Sequence, residues 1–297
     1  MTTSPVPLTS QSLSALLDEE QRRHDAWLLS IRGLVEASRT LRLNAPHDED
    51  GPKTLESPGL LSSLRRRWQR RSPQVVRSVE DSLRLRIESA FKETKKASLL
   101  VDRFAALRDG LFVDLERLHQ HIADAGAFDT ASAAGILQAR VEEGDESLTE
   151  RQRDQARQQR SHGEQRQGLA QRGLERLSVL VASARGLLDV TETISGDVFH
   201  FARAAELQLD ALAARARTLG VVEDAASVVE ELERSLLTLS SSLDDVTIFA
   251  NAVHERVTAQ TSATDLAQAL ETLVQGAAAR RAARECPGGD GANNAPW

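Results

Sequence analysis

The chain has 297 residues and a formal net charge of -7, and this acidic balance argues against nucleic acid as a partner. Hydrophobic residues make up 40% of it and charged residues 27%, which excludes disorder throughout the chain. Aromatic residues are only 3%, and the abundance of Ala, Leu, Arg, Glu and Gln is typical of long helices, so we expect an all-α protein.

The first predicted element is an amphipathic helix over 12–43, preceded by a disordered tail over 1–11. Two prolines, Pro5 and Pro7, disfavour regular structure in the tail. The helix is indicated by apolar residues that recur with helical spacing. They are Leu13, Leu16, Leu17, Trp27, Leu28, Ile31, Leu34, Val35 and Leu41.

A linker over 44–73 is predicted from its Pro and Gly content, and it contains a basic amphipathic segment over 60–71. Three leucines and a tryptophan share one helical face of this segment, and its five arginines have no acidic residue among them. Such a segment can lie in an anionic membrane surface, and it can also hold phosphates. A solvated basic turn is the third interpretation. The residues that would make the membrane or anion contact are Leu64, Arg65, Arg66, Arg67, Trp68, Arg70 and Arg71.

A long coiled-coil helix followed by a short helix is predicted over 74–146. Ser72 and Pro73 form a helix start, because Ser caps a helix well and Pro fits its first position. Gly126 is predicted to end the long helix, because glycine is common just after a helix C-terminus. The short helix is then expected over 129–141.

The long helix carries a seam that we expect to mediate self-association. Apolar residues follow one another here at alternating steps of three and four, which is the spacing of packed helices. Two polar residues interrupt the seam, Thr94 and Arg108; they can select an oligomeric state, or they can face a gap or reach solvent. The first helix and the hairpin of the same chain are possible partners for this seam. The polar stretch that follows cannot cover it, so the expected partner is a second copy, giving a dimer or a larger assembly. The predicted seam comprises Leu83, Ile87, Val101, Phe104, Arg108, Leu111, Leu115, Leu118 and Ile122.

A polar connector is predicted over 147–173. Between Leu148 and Leu169 the stretch has no large apolar residue, and a helix that is polar all round is not expected to be stable alone. We therefore expect an exposed, partly helical hinge. Its start, Ser147 to Glu150, has the spacing of a capping box.

Over 174–284 the sequence predicts an antiparallel helical hairpin, followed by a disordered tail over 285–297. Eleven apolar residues within 222–257 keep the alternating spacing without interruption. Gly220 is the only helix stop before them, so the preceding helix, which ends at Leu219, should be followed by a fold-back. A helix of about 45 residues spans roughly 70 Å, so an elongated bundle is expected.

Two acid–histidine pairs have the spacing of metal ligands in helical bundles, Glu116 with His119 and Asp197 with His200. All four residues fall off the apolar seams, whereas a metal inside a bundle needs ligands that point inward. The sequence contains no nucleophile elbow, phosphate loop or dinucleotide turn. We therefore expect no catalytic residue, no metal and no cofactor.

The expected location is the cytoplasm, with membrane association if the segment 60–71 contacts lipid. Cys286 is the only cysteine, which is consistent with a reducing compartment. No apolar run approaches the roughly 20 residues of a membrane span, and the N-terminus lacks a signal-peptide pattern. Only 4 of the 37 basic residues are lysine, which suggests a GC-rich, bacterial genome.

These patterns favour a non-catalytic coiled-coil scaffold or adaptor that self-associates and binds protein partners. The alternative is a peripheral membrane protein that uses the basic amphipathic segment as its contact. A helical enzyme ranks third, because no motif points to a reaction.

Overall fold

A computed structural model describes residues 9–43, 73–218, 225–259 and 263–285. In these ranges all regular secondary structure is α-helical, which confirms the predicted all-α bundle. The helices are α1 (Ser10–Arg39), α2 (Pro73–Gly144), α3 (Glu150–Thr218), α4 (Ala225–Ala259) and α5 (Ala263–Glu285).

The described residues form two compact units. The first unit draws on the described residues within 1–31, 107–190 and 256–297, and the second on those within 32–106 and 191–255. The first unit's largest fully buried side chains are Leu13, Ile31, Leu111, Leu177 and Leu187. Those of the second unit are Leu41, Phe104, Ile194, Phe201, Leu209 and Leu232.

Helix α1 begins earlier and ends earlier than the predicted range 12–43. Thr9 caps its start, because the Thr9 Oγ1 accepts the backbone N–H of Ser12 at 3.2 Å and the Ser12 Oγ accepts that of Thr9 at 2.7 Å. At the other end the N–H of Leu41 donates to the carbonyl of Ser38 at 3.3 Å. This bond spans three residues instead of the four of an α-helix, so it tightens the last turn. Leu41 is buried where the non-helical chain begins.

Helix α2 runs without a break to Gly144, so the predicted helix end at Gly126 and the separate short helix over 129–141 are wrong. A glycine inside a helix costs only about 1 kcal/mol relative to alanine. That cost is too small to end α2 at Gly126, because buried side chains such as Phe128 and Ile136 follow on the same side of the helix.

The predicted polar connector over 147–173 is part of α3, which is continuous from Glu150 to Thr218, so the predicted hinge is wrong. The sequence there contains small residues spaced seven apart and in phase with the buried Leu177. Small side chains let two helices pack close together without any large apolar residue, so this contact has no pattern of large apolar residues in the sequence. These small residues are Ala156, Gly163 and Ala170.

The start of α3 is capped two residues later than predicted. Thr149 rather than Ser147 is the cap, because the Gln152 side-chain oxygen accepts the backbone N–H of Thr149 at 2.9 Å. This is the reciprocal half of a capping box, with Gln152 in place of the predicted Glu150. Ser147 instead donates from its N–H and its hydroxyl to Asp145 in the turn before the helix.

In the first unit, the C-terminal part of α2 and the N-terminal part of α3 form an antiparallel pair. Glu143 accepts hydrogen bonds from Arg157 at 3.2 Å and from Arg160 at 2.7 Å. Further from the turn, the guanidinium of Arg166 lies 4.8 Å from the centre of the Phe128 ring. Later residues of α3 thus meet earlier residues of α2, and the predicted connector covers α2.

Substitution of Gly163 by alanine is expected to destabilise this pair. A Cβ at Gly163 would lie 2.7 Å from the Cγ1 of Ile136, so the helices would have to move apart. The matched control is Gly168→Ala, where a Cβ meets nothing within 4 Å and the higher helix propensity should add about 1 kcal/mol to the unfolding free energy. Urea denaturation of both variants is the measurement, and an equal gain in stability for both would contradict the close helix approach.

In the second unit, α4 contacts α3. An ion pair between Arg215 and Glu231 links the end of α3 to the start of α4. Glu233 of α4 lies 3.8 Å from Arg86 of α2, so α2 also contacts α4.

In the first unit, α5 packs against α3. A Cβ placed on Gly186 would lie 3.3 Å from the Cβ of Leu270, so the absence of a side chain lets these two helices approach closely. The predicted tails lie largely outside the described residues, at 1–8 and 286–297.

Candidate functional site

The seam predicted for self-association is buried within its own chain. Most of its residues are at most 7% exposed: Leu83, Ile87, Phe104, Leu111, Leu115 and Leu118. Val101 and Ile122 are half-buried. The expectation that a second copy covers this seam is therefore wrong, because other helices of the same chain already cover it.

Arg108 is the one predicted seam residue that points to solvent. Its guanidinium pairs with Asp109 at 2.9 Å, and 44% of its side chain is exposed. Leu107 is buried at this level instead, so the seam steps from Phe104 through Leu107 to Leu111. Arg108 therefore has no role in selecting an oligomeric state through a buried position.

A cluster of charged groups around the buried Glu20 lies where α1 meets α2 in the first unit. The guanidinium of Arg117 donates to both carboxylate oxygens of Glu20, each at 3.0 Å, and to Asp114 at 2.7 Å. The other oxygen of Asp114 accepts the indole N–H of Trp27. Burial opposes the charged guanidinium, but hydrogen bonds to Glu20 and Asp114 outweigh it and raise the pKa of Arg117. His121 completes the cluster, with its Nε2 3.5 Å from Glu20.

Trp27 also fixes how closely α1 approaches α2. A Cβ on Gly110 would lie 2.5 Å from the Trp27 ring, so the indole occupies the space that glycine leaves open. The charged cluster and the contact of Trp27 with Gly110 together set one register of α1 on α2. Sequence reasoning missed Glu20, Asp114 and Arg117 because charged residues on a helix are usually solvated.

A second buried polar contact joins α1 to α3. His24 is 5% exposed, Ser183 is fully buried, and the His24 Nε2 lies 3.1 Å from the Ser183 Oγ. A histidine beside a hydroxyl is also the arrangement of a base and a nucleophile. Because Ser183 has no exposed surface for a substrate to reach, we interpret the contact as structural.

The stability of the protein is expected to depend on pH through His24. Burial lowers the pKa of His24, although Asp25 acts in the opposite direction. Below the ordinary histidine pKa of about 6.5, the unfolded chain then binds a proton that the folded chain does not. The unfolding free energy should fall as the pH decreases from there to the lowered pKa, by up to about 1.4 kcal/mol per pH unit.

Urea denaturation between pH 7.5 and 5 tests this dependence. His24→Gln stays neutral and can still bond Ser183, so its stability should change less with pH than that of the unsubstituted chain. Comparing the two chains removes the contributions of all other titrating groups. His162→Gln, at an exposed position of α3, is the control. Parallel curves for the unsubstituted and His24→Gln chains would show that His24 does not cause the dependence.

A polar groove of about 400 Å³ lies in the second unit, between the end of α1 and α4. Arg39 crosses it and bonds both Glu36 and Asn251. Arg42 and Asp244 add one charge of each sign to the lining. Since the charges of the lining are balanced and Arg39 is already paired, the groove does not select one ligand chemistry.

The solvent side of α2 in the first unit is apolar over five turns. We call this surface the outer face of α2. Its residues alternate at steps of four and three, and all of them are exposed: Ala123, Ala127, Thr130, Ala134, Leu137 and Val141. Between Ala125 and Ala139 only Asp129 is charged, in a chain that is 27% charged. A continuous apolar surface of this kind is typical of a binding site.

The histidines of the two acid–histidine pairs each make other contacts. His119 donates from its Nδ1 to the carbonyl of Leu115 at 2.8 Å, and its Nε2 accepts from Arg185 at 3.1 Å. His200 contacts the edge of the Phe199 ring, with centroids 5.8 Å apart. Among the described residues no group of three or more His, Cys, Asp and Glu side chains has a metal-binding arrangement.

The predicted membrane segment over 60–71 lies outside the described residues. None of the helices that the structure describes is long and apolar enough to cross a membrane.

No family model, curated protein or solved structure matches this chain. Function is therefore inferred from the chain's own residues.

Proposed function

We propose that this protein is a non-catalytic scaffold or adaptor that self-associates and binds protein partners through exposed helix surfaces. The observation that carries the proposal is the outer face of α2, which remains apolar and almost free of charge although it faces water. Exposing apolar surface to water is unfavourable by about 25 cal/mol per Å². A complex in which a partner covers this face is therefore stabilised by about 25 cal/mol for each Å² that is buried.

The buried polar groups support this function in a different way. Arg117 bonds both Glu20 and Asp114, and His24 bonds Ser183, so these groups hold α1 on its neighbours. Buried polar groups that pair across a helix contact can specify one arrangement of helices. A defined, rigid arrangement is what a scaffold needs to present a binding surface.

Sedimentation equilibrium of the full chain tests the self-association. We expect a mass above the 32.4 kDa of the single chain, and we expect it to rise with concentration in the micromolar range. A constant mass of one chain at all concentrations would contradict this part of the proposal.

Peripheral membrane binding is the alternative, and it rests on the basic pattern of the segment 60–71. Flotation with liposomes that contain or lack anionic lipid separates it from the scaffold function. Binding that requires anionic lipid and is lost in Trp68→Glu would favour the membrane function, whereas no flotation with either lipid would remove it.

A further inference from the structure

We infer that the outer face of α2 is where two copies of this chain pair, with their α2 helices antiparallel. The inference rests on the proposed self-association and gives it a surface and an orientation. The spacing of the face provides the first argument. Steps of four and three keep its six residues on one line along the helix, as in a seam between two helices.

The sizes of the side chains determine the orientation. The face has alanines at its N-terminal end and Leu137 and Val141 at its C-terminal end. In an antiparallel pair, Leu137 of one copy meets Ala127 of the other, and Val141 meets Ala123. Tight packing requires such large-to-small contacts. A parallel pair would instead place alanine against alanine and leave a gap at one end.

The face can also be buried without leaving a polar group unpaired. Thr130 is its only polar member, and the hydroxyl already donates to the carbonyl of Gly126 at 2.9 Å. The positions that flank the centre are the alanines Ala131 and Ala133, so the two helices can approach closely. Because no charge lies on the face, pairing avoids the cost of a buried unpaired ion.

The length of the face limits the strength of the pair. From Ala123 to Val141 it extends roughly 27 Å at 1.5 Å per residue. A single helix contact of this length is at the low end of interface sizes, so we expect association at micromolar rather than nanomolar concentrations.

The first test places charge on the face of the full chain. In the double variant Ala134→Glu with Leu137→Glu, both positions are exposed, so the fold should be kept, and circular dichroism checks this. We expect the dissociation constant from sedimentation equilibrium to rise more than about tenfold, because pairing would bury four like charges without partners in an apolar contact. The matched control, Leu207→Glu with Leu237→Glu, changes equally exposed leucines of the second unit and should associate normally.

The second test determines the orientation by disulfide cross-linking in a Cys286→Ser background. When single-cysteine chains Ala127→Cys and Leu137→Cys are mixed and oxidised, the mixed dimer should form and neither homodimer should. Homodimers alone would indicate a parallel pair and overturn the inference.

The outcomes separate this inference from the proposed function. If the unsubstituted chain associates and the charged α2 variant associates equally well, self-association stands and this surface is wrong. The surface is also wrong if the control variant loses association to the same extent. A chain that is monomeric at all concentrations overturns both.

Discussion

Leu236→Ala is expected to lower the unfolding free energy by about 2–5 kcal/mol, the range for truncating a buried leucine. Leu236 lies on α4 and is 5% exposed, and the second unit surrounds it with other helices. The loss combines the lost burial of its methyl groups with the cavity left behind, because the surrounding helices can only partly collapse.

The neighbouring residue is the matched control. Leu237 is 62% exposed, so Leu237→Ala removes the same atoms from the next position of the same helix with little change in burial. We expect its effect to stay within about 0.5 kcal/mol. Urea denaturation followed by circular dichroism measures both. Similar losses in the two variants would contradict the orientation of α4.

Arg117→Ala is expected to lower the unfolding free energy by about 3 kcal/mol, because it leaves Glu20 buried without its partner. The Glu20 side chain is 4% exposed, whereas Arg117 keeps 25% of its surface in water, so we place the effect at the low end of the range for broken buried pairs. The substitution also removes the bond to Asp114, which then bonds only Trp27 in this cluster.

A double-mutant cycle separates the charge effect from the loss of packing. Adding Glu20→Gln to Arg117→Ala removes the buried charge and should recover part of the loss. Arg84→Ala is the exposed control, since its pair with Glu88 at 3.2 Å is open to water and should contribute at most about 1 kcal/mol. Equal effects of Arg117→Ala and Arg84→Ala would mean that burial adds nothing to the Glu20 pair.

The helices themselves could be predicted from the sequence because their buried residues repeat with helical spacing. The spacing from Leu83 to Leu118 predicted the buried side of α2, but not which helix covers it. Which helix covers this side depends on contacts between residues far apart in the chain. The spacing of a seam alone does not show whether the covering helix belongs to the same chain or to a second copy. The prediction of self-association through this seam failed for that reason.

The pairing of α2 with the start of α3 was missed because its signal is small residues rather than apolar ones. Ala156, Gly163 and Ala170 lie seven apart, in phase with Leu177, and this period was visible in the sequence. A search for large apolar residues does not detect it. The same reasoning gave Gly126 too much weight as a helix end. The helix continues through it because residues before and after it are packed against other helices.

The polar contacts of α1 with its neighbouring helices have a weaker signal in the sequence. The apolar spacing of the first helix has a gap between Leu17 and Trp27, and Glu20 and His24 fall on the missing positions. Their burial depends on Arg117 and Ser183, which are distant in the chain and whose positions no local pattern predicts. The outer face of α2 was detectable as a charge-poor stretch, but its exposure follows only from the structure.

The connection between α2 and α3 has a consequence for the order in which the protein folds. Arg157 and Glu143 are 14 residues apart, whereas His24 and Ser183 are 159 apart. Closing a longer loop costs more chain entropy, so local contacts form earlier. We therefore expect Ile136→Val to slow folding and His24→Gln to speed unfolding, which stopped-flow kinetics would resolve. The α2–α3 pair then forms the nucleus, and α1 adds to a surface that already exists.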